Sequence, residues 1–149
     1  MPASATVVTV TEQQAEPAVD PSLDLVSDVF ARDCTSRAAF EDVTAKWASL
    51  ALIALGESSY RFNALRRRVE GVSEKMLSQT LQALERDGMV RRQVHATIPP
   101  RVEYSLTPLG TSVAGQLRGL ADILEAAVPD IATARTAHAA RAARGEREA

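Results

Sequence analysis

The chain has 149 residues, 46% hydrophobic and 24% charged, with a net charge of −2, which bounds it to one ordinary globular domain with extensions. No apolar run reaches the roughly 18 residues that a membrane span needs, and Met1 to Val10 lacks the basic start of a secretory signal, so the cytoplasm is the expected setting, with no membrane partner. Cys34 is the single cysteine, which excludes an intramolecular disulfide and a multi-cysteine zinc site.

The small net charge hides an asymmetry. Towards the N-terminus, Glu12, Glu16, Asp20, Asp24, Asp28 and Asp33 are set against one base, Arg32. In the middle, Arg61, Arg66, Arg67, Arg68, Lys75, Arg86, Arg91, Arg92 and Arg101 outnumber Glu70, Glu74, Glu85 and Asp87. Exposed charges are screened within about 8–10 Å, so a local basic excess matters to a phosphate partner more than the global sum does.

Residues 1–21 have no sustained apolar period and read as a disordered leader. Asp20-Pro21-Ser22 resembles a helix start, with Leu23, Val26 and Phe30 on one face. A helix is expected over 35–44, capped by Thr35 or Ser36, with Ala39, Phe40 and Val43 as its apolar stripe. A second follows over 45–56. Trp47, Leu50, Ala51, Ile53, Ala54 and Leu55 make it apolar on most sides, which implies burial among several partners. Gly56 supplies the stop.

A short amphipathic helix over 61–69 turns Phe62, Leu65 and Val69 inward and its arginines outward, and Glu70-Gly71-Val72 makes a tight turn. Ser73 then caps a longer helix to Asp87, whose inward face is Met76 or Leu77, with Leu81 and Leu84; Asp87-Gly88 ends it. From Met89 the period changes to that of strands, 89–94 and 101–106, joined by a loop in which Pro99 and Pro100 cannot donate to a ladder. Thr107-Pro108 opens a long helix to about Val128, with Leu109, Val113, Leu117, Leu120 and Leu124 at near-heptad spacing. Pro129-Asp130 is expected to break it. An Ala- and Arg-rich extension, 129–149, is helical over 131–144 and frays beyond.

This order of elements is that of a winged helix-turn-helix: mainly α with a small β-hairpin wing, a domain over 22–128, and dimerisation helices at both ends. In such a fold the longer helix enters the DNA major groove and the hairpin lies over backbone or minor groove. The exposed face of 73–87 offers Ser73, Glu74, Lys75, Ser78, Gln79 and Gln82, short polar groups and amides suited to base edges. Arg61 and Asn63 on the preceding helix, and Arg92 and Arg101 on the hairpin, are placed for phosphates. Arg66-Arg67-Arg68 reads equally as a solvated run, because helical spacing lets only one or two face DNA. Phe40, Trp47, Leu109, Val113, Leu117, Leu120 and Leu124 exceed what one small domain can bury, and are expected at a homodimer interface.

Several blocks carry a resemblance. Lys46-Trp47, Tyr60-Arg61-Phe62-Asn63-Ala64-Leu65, Val72-Ser73-Glu74-Lys75-Met76-Leu77-Ser78-Gln79-Thr80-Leu81, Leu84-Glu85-Arg86-Asp87-Gly88-Met89-Val90 and the specific run Pro99-Pro100-Arg101-Val102-Glu103-Tyr104-Ser105-Leu106-Thr107-Pro108-Leu109-Gly110 resemble the HxlR-type winged-helix regulators of bacteria, over residues 34–110. The resemblance implies a homodimer on operator DNA, with dimer contacts from the first and the C-terminal helix. It also places Cys34 where some such regulators carry a cysteine that senses oxidants or electrophiles. Here Thr35 follows it, where proline is frequent in those proteins.

Arg32, Arg37 and a helix N-terminus would favour the Cys34 thiolate, whereas Asp33 would oppose it. The alternative for Cys34 is a quiet buried thiol. His95 and His138 stand far from each other and from Cys34 in sequence, which makes a poor metal site, and no cofactor is expected. No phosphate loop, paired-carboxylate cluster or nucleophile with a base suggests an enzyme. The competing function is a winged-helix module that binds protein and not DNA. The partners expected are double-stranded DNA, a second copy of the chain, and a small-molecule or oxidant effector.

Overall fold

The computed structural model describes residues 27–145, so the leader and the helix start at Asp20-Pro21-Ser22 lie outside the described residues. Phe30, assigned to that helix's apolar face, sits in a turn and is exposed. The elements are α1 (Thr35–Thr44), α2 (Lys46–Glu57), β1 (Tyr60–Arg61), α3 (Phe62–Arg68), α4 (Glu74–Arg86), β2 (Val90–His95), β3 (Arg101–Leu106), α5 (Pro108–Ala126) and α6 (Val128–Ala143).

The core forms where the apolar stripes meet. Helix α2 buries Ala48, Ala51, Leu52, Ala54 and Leu55, as its all-round apolarity predicts. Leu65 of α3 and Leu77, Leu81 and Leu84 of α4 close over it, with essentially no exposure. Each such leucine contributes roughly 1.5–3 kcal/mol by leaving water. The choice between Met76 and Leu77 falls to Leu77; Met76 points outward. Ser73 caps α4, its hydroxyl accepting the Met76 amide at 3.1 Å. Gly71 takes φ +94° in the turn before it, with the Trp47 ring packed alongside.

Three local expectations are corrected. The residue capping α1 is Cys34, with no side-chain cap bond, so Thr35 and Ser36 fall inside the helix. Helix α5 ends at Ala126, and Pro129 lies in the first turn of α6, where its missing N–H removes no helical bond. The wing is also part of a three-stranded antiparallel sheet of order β1-β3-β2, because Tyr60 and Arg61 pair with Tyr104 and Glu103. Two residues carry no readable period, which is why β1 escapes a sequence reading.

The wing is bound firmly to α5. The Thr107 hydroxyl caps α5 by accepting the Gly110 amide at 3.1 Å, and the Thr107 amide donates to the Met89 carbonyl at 3.1 Å. One residue therefore joins the end of α4, the start of β2 and the first turn of α5.

Candidate nucleic-acid interface

Helix α4 presents two stripes of the same spacing. Leu77, Leu81 and Leu84 are buried, whereas Lys75, Gln79 and Gln82 are exposed. Spacings of four and three residues put each set on one face. Burial of the leucine stripe therefore holds the other outward along the whole helix. Ser73 and Glu74 are exposed at its start, and Ser78 is half-buried at its edge. Glu74 is drawn back towards α3 by Arg66, at 3.2 Å.

The basic residues between 61 and 101 divide into two groups. Arg66 is paired to Glu74, and Arg86 to Asp42 of α1 at 3.0 Å. Arg68 grips Glu57 through two bonds of 2.7 and 3.0 Å, which holds the Glu57 carboxyl below its usual range. These three support the fold. Arg61, Arg67, Lys75, Arg91, Arg92 and Arg101 are exposed and have no ion-pair partner among the described residues. Asn63, in the first turn of α3, is exposed as well.

Strand register sorts the wing cations further. Arg92 stands opposite Tyr104, so it shares a face with Val90 and Leu106, the face turned to the core. Arg101 stands opposite His95, on the other face, which Arg91 and, through β1, Arg61 share. Arg92 and Arg101, expected together, thus lie on opposite faces of the hairpin. Arg91, with Arg61 and Arg101, makes a cationic face that the sequence reading did not assemble. Strict alternation could have separated Arg91 from Arg92, but the contribution of Arg61 needed the β1 pairing. On the same face Glu103 meets His95 at 3.4 Å.

The apolar residues expected at an interface also divide. Phe40, Leu109, Leu120 and Leu124 are about half exposed on α1 and α5. Val113, Leu117 and Trp47 pack against the chain's own core, and Lys46 lies 4.6 Å over the Trp47 ring. Between α1 and α5 runs an apolar groove of about 450 Å³ lined by Val29, Phe40, Val43, Met89, Leu109 and Val113.

Cys34 is buried at the start of α1, its Sγ 3.0 Å from the Ser36 hydroxyl. That hydroxyl lowers the thiol pKa below its ordinary value; burial opposes, and the backbone amides at Asp28, Ser36 and Arg37 add to the lowering. The Arg37 guanidinium is turned elsewhere, to Glu41 at 2.7 Å and the Phe30 carbonyl at 3.3 Å. The thiolate is thus favoured by dipoles, not by the neighbouring arginine charges that the sequence suggested. Among the described residues no group of His, Cys, Asp and Glu could hold a metal ion, and no helix is long and apolar enough to cross a membrane.

Two helices, a helix-turn-helix with an outward polar stripe, and a cationic hairpin define a winged-helix DNA-binding protein. The chain belongs to the HxlR-like helix-turn-helix family, whose model matches residues 42–131, and is a DNA-binding transcription regulator. It is 48% identical over 113 residues to the uncharacterized HTH-type transcriptional regulator YtfH of Escherichia coli K12, covering 76% of this chain and 90% of that one. The solved structure of a proposed transcriptional regulator, YtfH of Salmonella typhimurium, superposes with a TM-score of 0.68 at 47% identity, over 73% of this chain and 97% of that one. The redox regulator HypR, solved in its oxidised form, gives a TM-score of 0.58 at 30% identity, over 62% of this chain and 96% of that one.

Proposed function

We propose that this protein is a homodimer that binds a pseudo-palindromic operator, with Ser73, Lys75, Ser78, Gln79 and Gln82 reading base edges and Arg61, Asn63, Arg92 and Arg101 holding the phosphates. The observation that carries this reading is a cluster of cations without ion pairs among the described residues: Arg61, Arg67, Lys75, Arg91, Arg92 and Arg101 gather on β1, α3, α4 and the wing, the elements that a winged helix applies to DNA, whereas Arg32, Lys46, Arg135, Arg141 and Arg144 lie elsewhere. The exposed apolar surface of α1 and α5 supports the dimer, since Phe40, Leu120 and Leu124 lie in water on a lone chain. Two-fold symmetry then sets two copies of α4 roughly 34–36 Å apart, one turn of DNA. Sedimentation should find a dimer at micromolar concentration; a monomer alone would defeat the operator geometry.

The DNA-binding reading is tested by salt. Arg101→Ala should weaken binding to selected and random duplexes alike, and flatten the dependence of log K on log salt by about one unit. An unchanged slope would remove Arg101 from the phosphate set.

Cys34 is proposed as a redox-responsive residue. Its support is the lowered thiol pKa at the start of α1, together with the similarity to HypR, a redox regulator. Diamide would accept the two hydrogens of a pair of thiols, leaving either a disulfide between the Cys34 residues of a dimer or a mixed disulfide with a small thiol. The first requires the two Cα atoms to come within about 7 Å. Either product displaces the start of α1, which Arg86–Asp42 ties to α4. Wild type should change its operator affinity on treatment, and Cys34→Ser should not. Equal affinity before and after, with an unmodified thiol by mass spectrometry, would leave Cys34 a structural residue.

A further inference from the structure

Ile98 is the most exposed large hydrophobic side chain among the described residues, at 103% relative accessibility. Most others of its kind lie on α1, α5 or the turn before α1, where Val29, Phe40 and Leu109 line the apolar groove; Val94 is on the wing, in β2. Ile98 stands apart from them, at the tip of the wing between the last paired residues, His95 and Arg101. The tip is tied within itself. The Thr97 amide donates to the His95 carbonyl at 2.8 Å, and the Thr97 hydroxyl donates to the Pro99 carbonyl at 2.8 Å. Pro99 and Pro100 narrow the backbone further, because each ring locks φ. An apolar side chain held on a stiff tip loses little freedom when it is inserted into a partner.

The surroundings name the partner. No carboxylate occurs between Asp87 and Glu103. The strands leading to the tip carry Arg91, Arg92 and Arg101, each exposed and without an ion pair among the described residues. An aliphatic point flanked by unpaired cations fits a polyanion that has an apolar interior: the stacked bases of duplex DNA between their phosphates.

Resting on the DNA-binding reading above, we propose that Ile98 is a wedge that enters the minor groove and partly unstacks one base step, kinking the operator on each side of the dimer. Apolar side chains inserted in this way bend DNA by about 20–90°. Pyrimidine–purine steps unstack most readily, so the wedge adds sequence preference at flanking positions where no base edge is read.

The probe is a duplex selected by the full-length protein from a random pool, carrying 2-aminopurine in each flank and a donor–acceptor pair at its ends. Wild type should raise 2-aminopurine fluorescence in the flanks and shorten the end-to-end distance. Ile98→Ala should still bind but lose the fluorescence rise and most of the bend, whereas Ile98→Leu should retain both. Both substitutions lie at a solvent-exposed tip, and circular dichroism checks the fold. Binding without unstacking in the wild type, or unstacking unchanged in Ile98→Ala, would overturn the wedge and leave the DNA reading intact. Failure of the wild type to bind any duplex would overturn both.

Discussion

Gly110→Ala should destabilise the folded chain by about 3 kcal/mol, lowering the urea midpoint with little change in slope. Gly110 lies in the first turn of α5, pressed against the backbone where α4 hands over to β2. A Cβ built there would stand 1.9 Å from the Met89 carbonyl oxygen and 2.9 Å from its carbon. Backbone cannot swing aside as a flexible side chain can. The same carbonyl also accepts the Thr107 amide. Relief of the clash therefore costs that bond, or shifts α5 away from the wing and from α2. Gly115, further along the helix, is the control: a Cβ there meets nothing within 4 Å. Gly115→Ala should stabilise by about 0.5–1 kcal/mol, the ordinary helix preference for alanine. If both variants unfold at the same urea concentration, the contact with Met89 is not a tight one.

Gln79→Ala should lower the preference for a selected operator over random DNA by about 1–3 kcal/mol, or about 5- to 150-fold. Gln79 is exposed at the middle of the outward stripe of α4, one turn from Lys75 on one side and from Gln82 on the other. Its amide carries both a donor and an acceptor and can bond an adenine edge through both. Alanine is a better helix former, so α4 itself should not suffer. The expected loss is one of discrimination, with random-DNA affinity nearly unchanged, opposite in pattern to Arg101→Ala. A specificity ratio equal to that of wild type would move the reading face away from Gln79.

Much of this protein was legible residue by residue. The Leu77, Leu81 and Leu84 stripe, the Ser73 and Thr107 caps, and the Pro99-Pro100 break each follow from local chemistry. That chemistry acts within a few residues of its source, so a linear reading finds it. Both capping bonds take the expected form, one to the Met76 amide and one to the Gly110 amide. Where two local rules competed, the reading was less secure. Thr35 and Ser36 are good caps by type, yet the chain entering from Ala31 already donates the Cys34 amide back to the Ala31 carbonyl, so α1 spans Thr35–Thr44 as expected but takes Cys34 as its cap residue. Pro129 serves equally as a breaker or as a first-turn residue, and the structure uses it as the second.

The sequence by itself determined the α-rich winged architecture, the inward leucine face of α4, and the basic excess of the middle of the chain. Periodicity and composition are properties of neighbours along the chain, and they survive without knowledge of the fold. The tertiary structure decided which cations are spent on the fold and which remain open. Arg86 finds Asp42, 44 positions away, Arg68 finds Glu57 and Arg66 finds Glu74, so three arginines of the basic middle are neutralised internally. It also decided that Arg61 joins Arg91 and Arg101 on one face, because β1 pairs with β3 across more than 40 residues. The physical reason is common to both. An ion pair or a strand register depends on where distant segments meet, and burial of the shared core, not any local preference, sets that meeting.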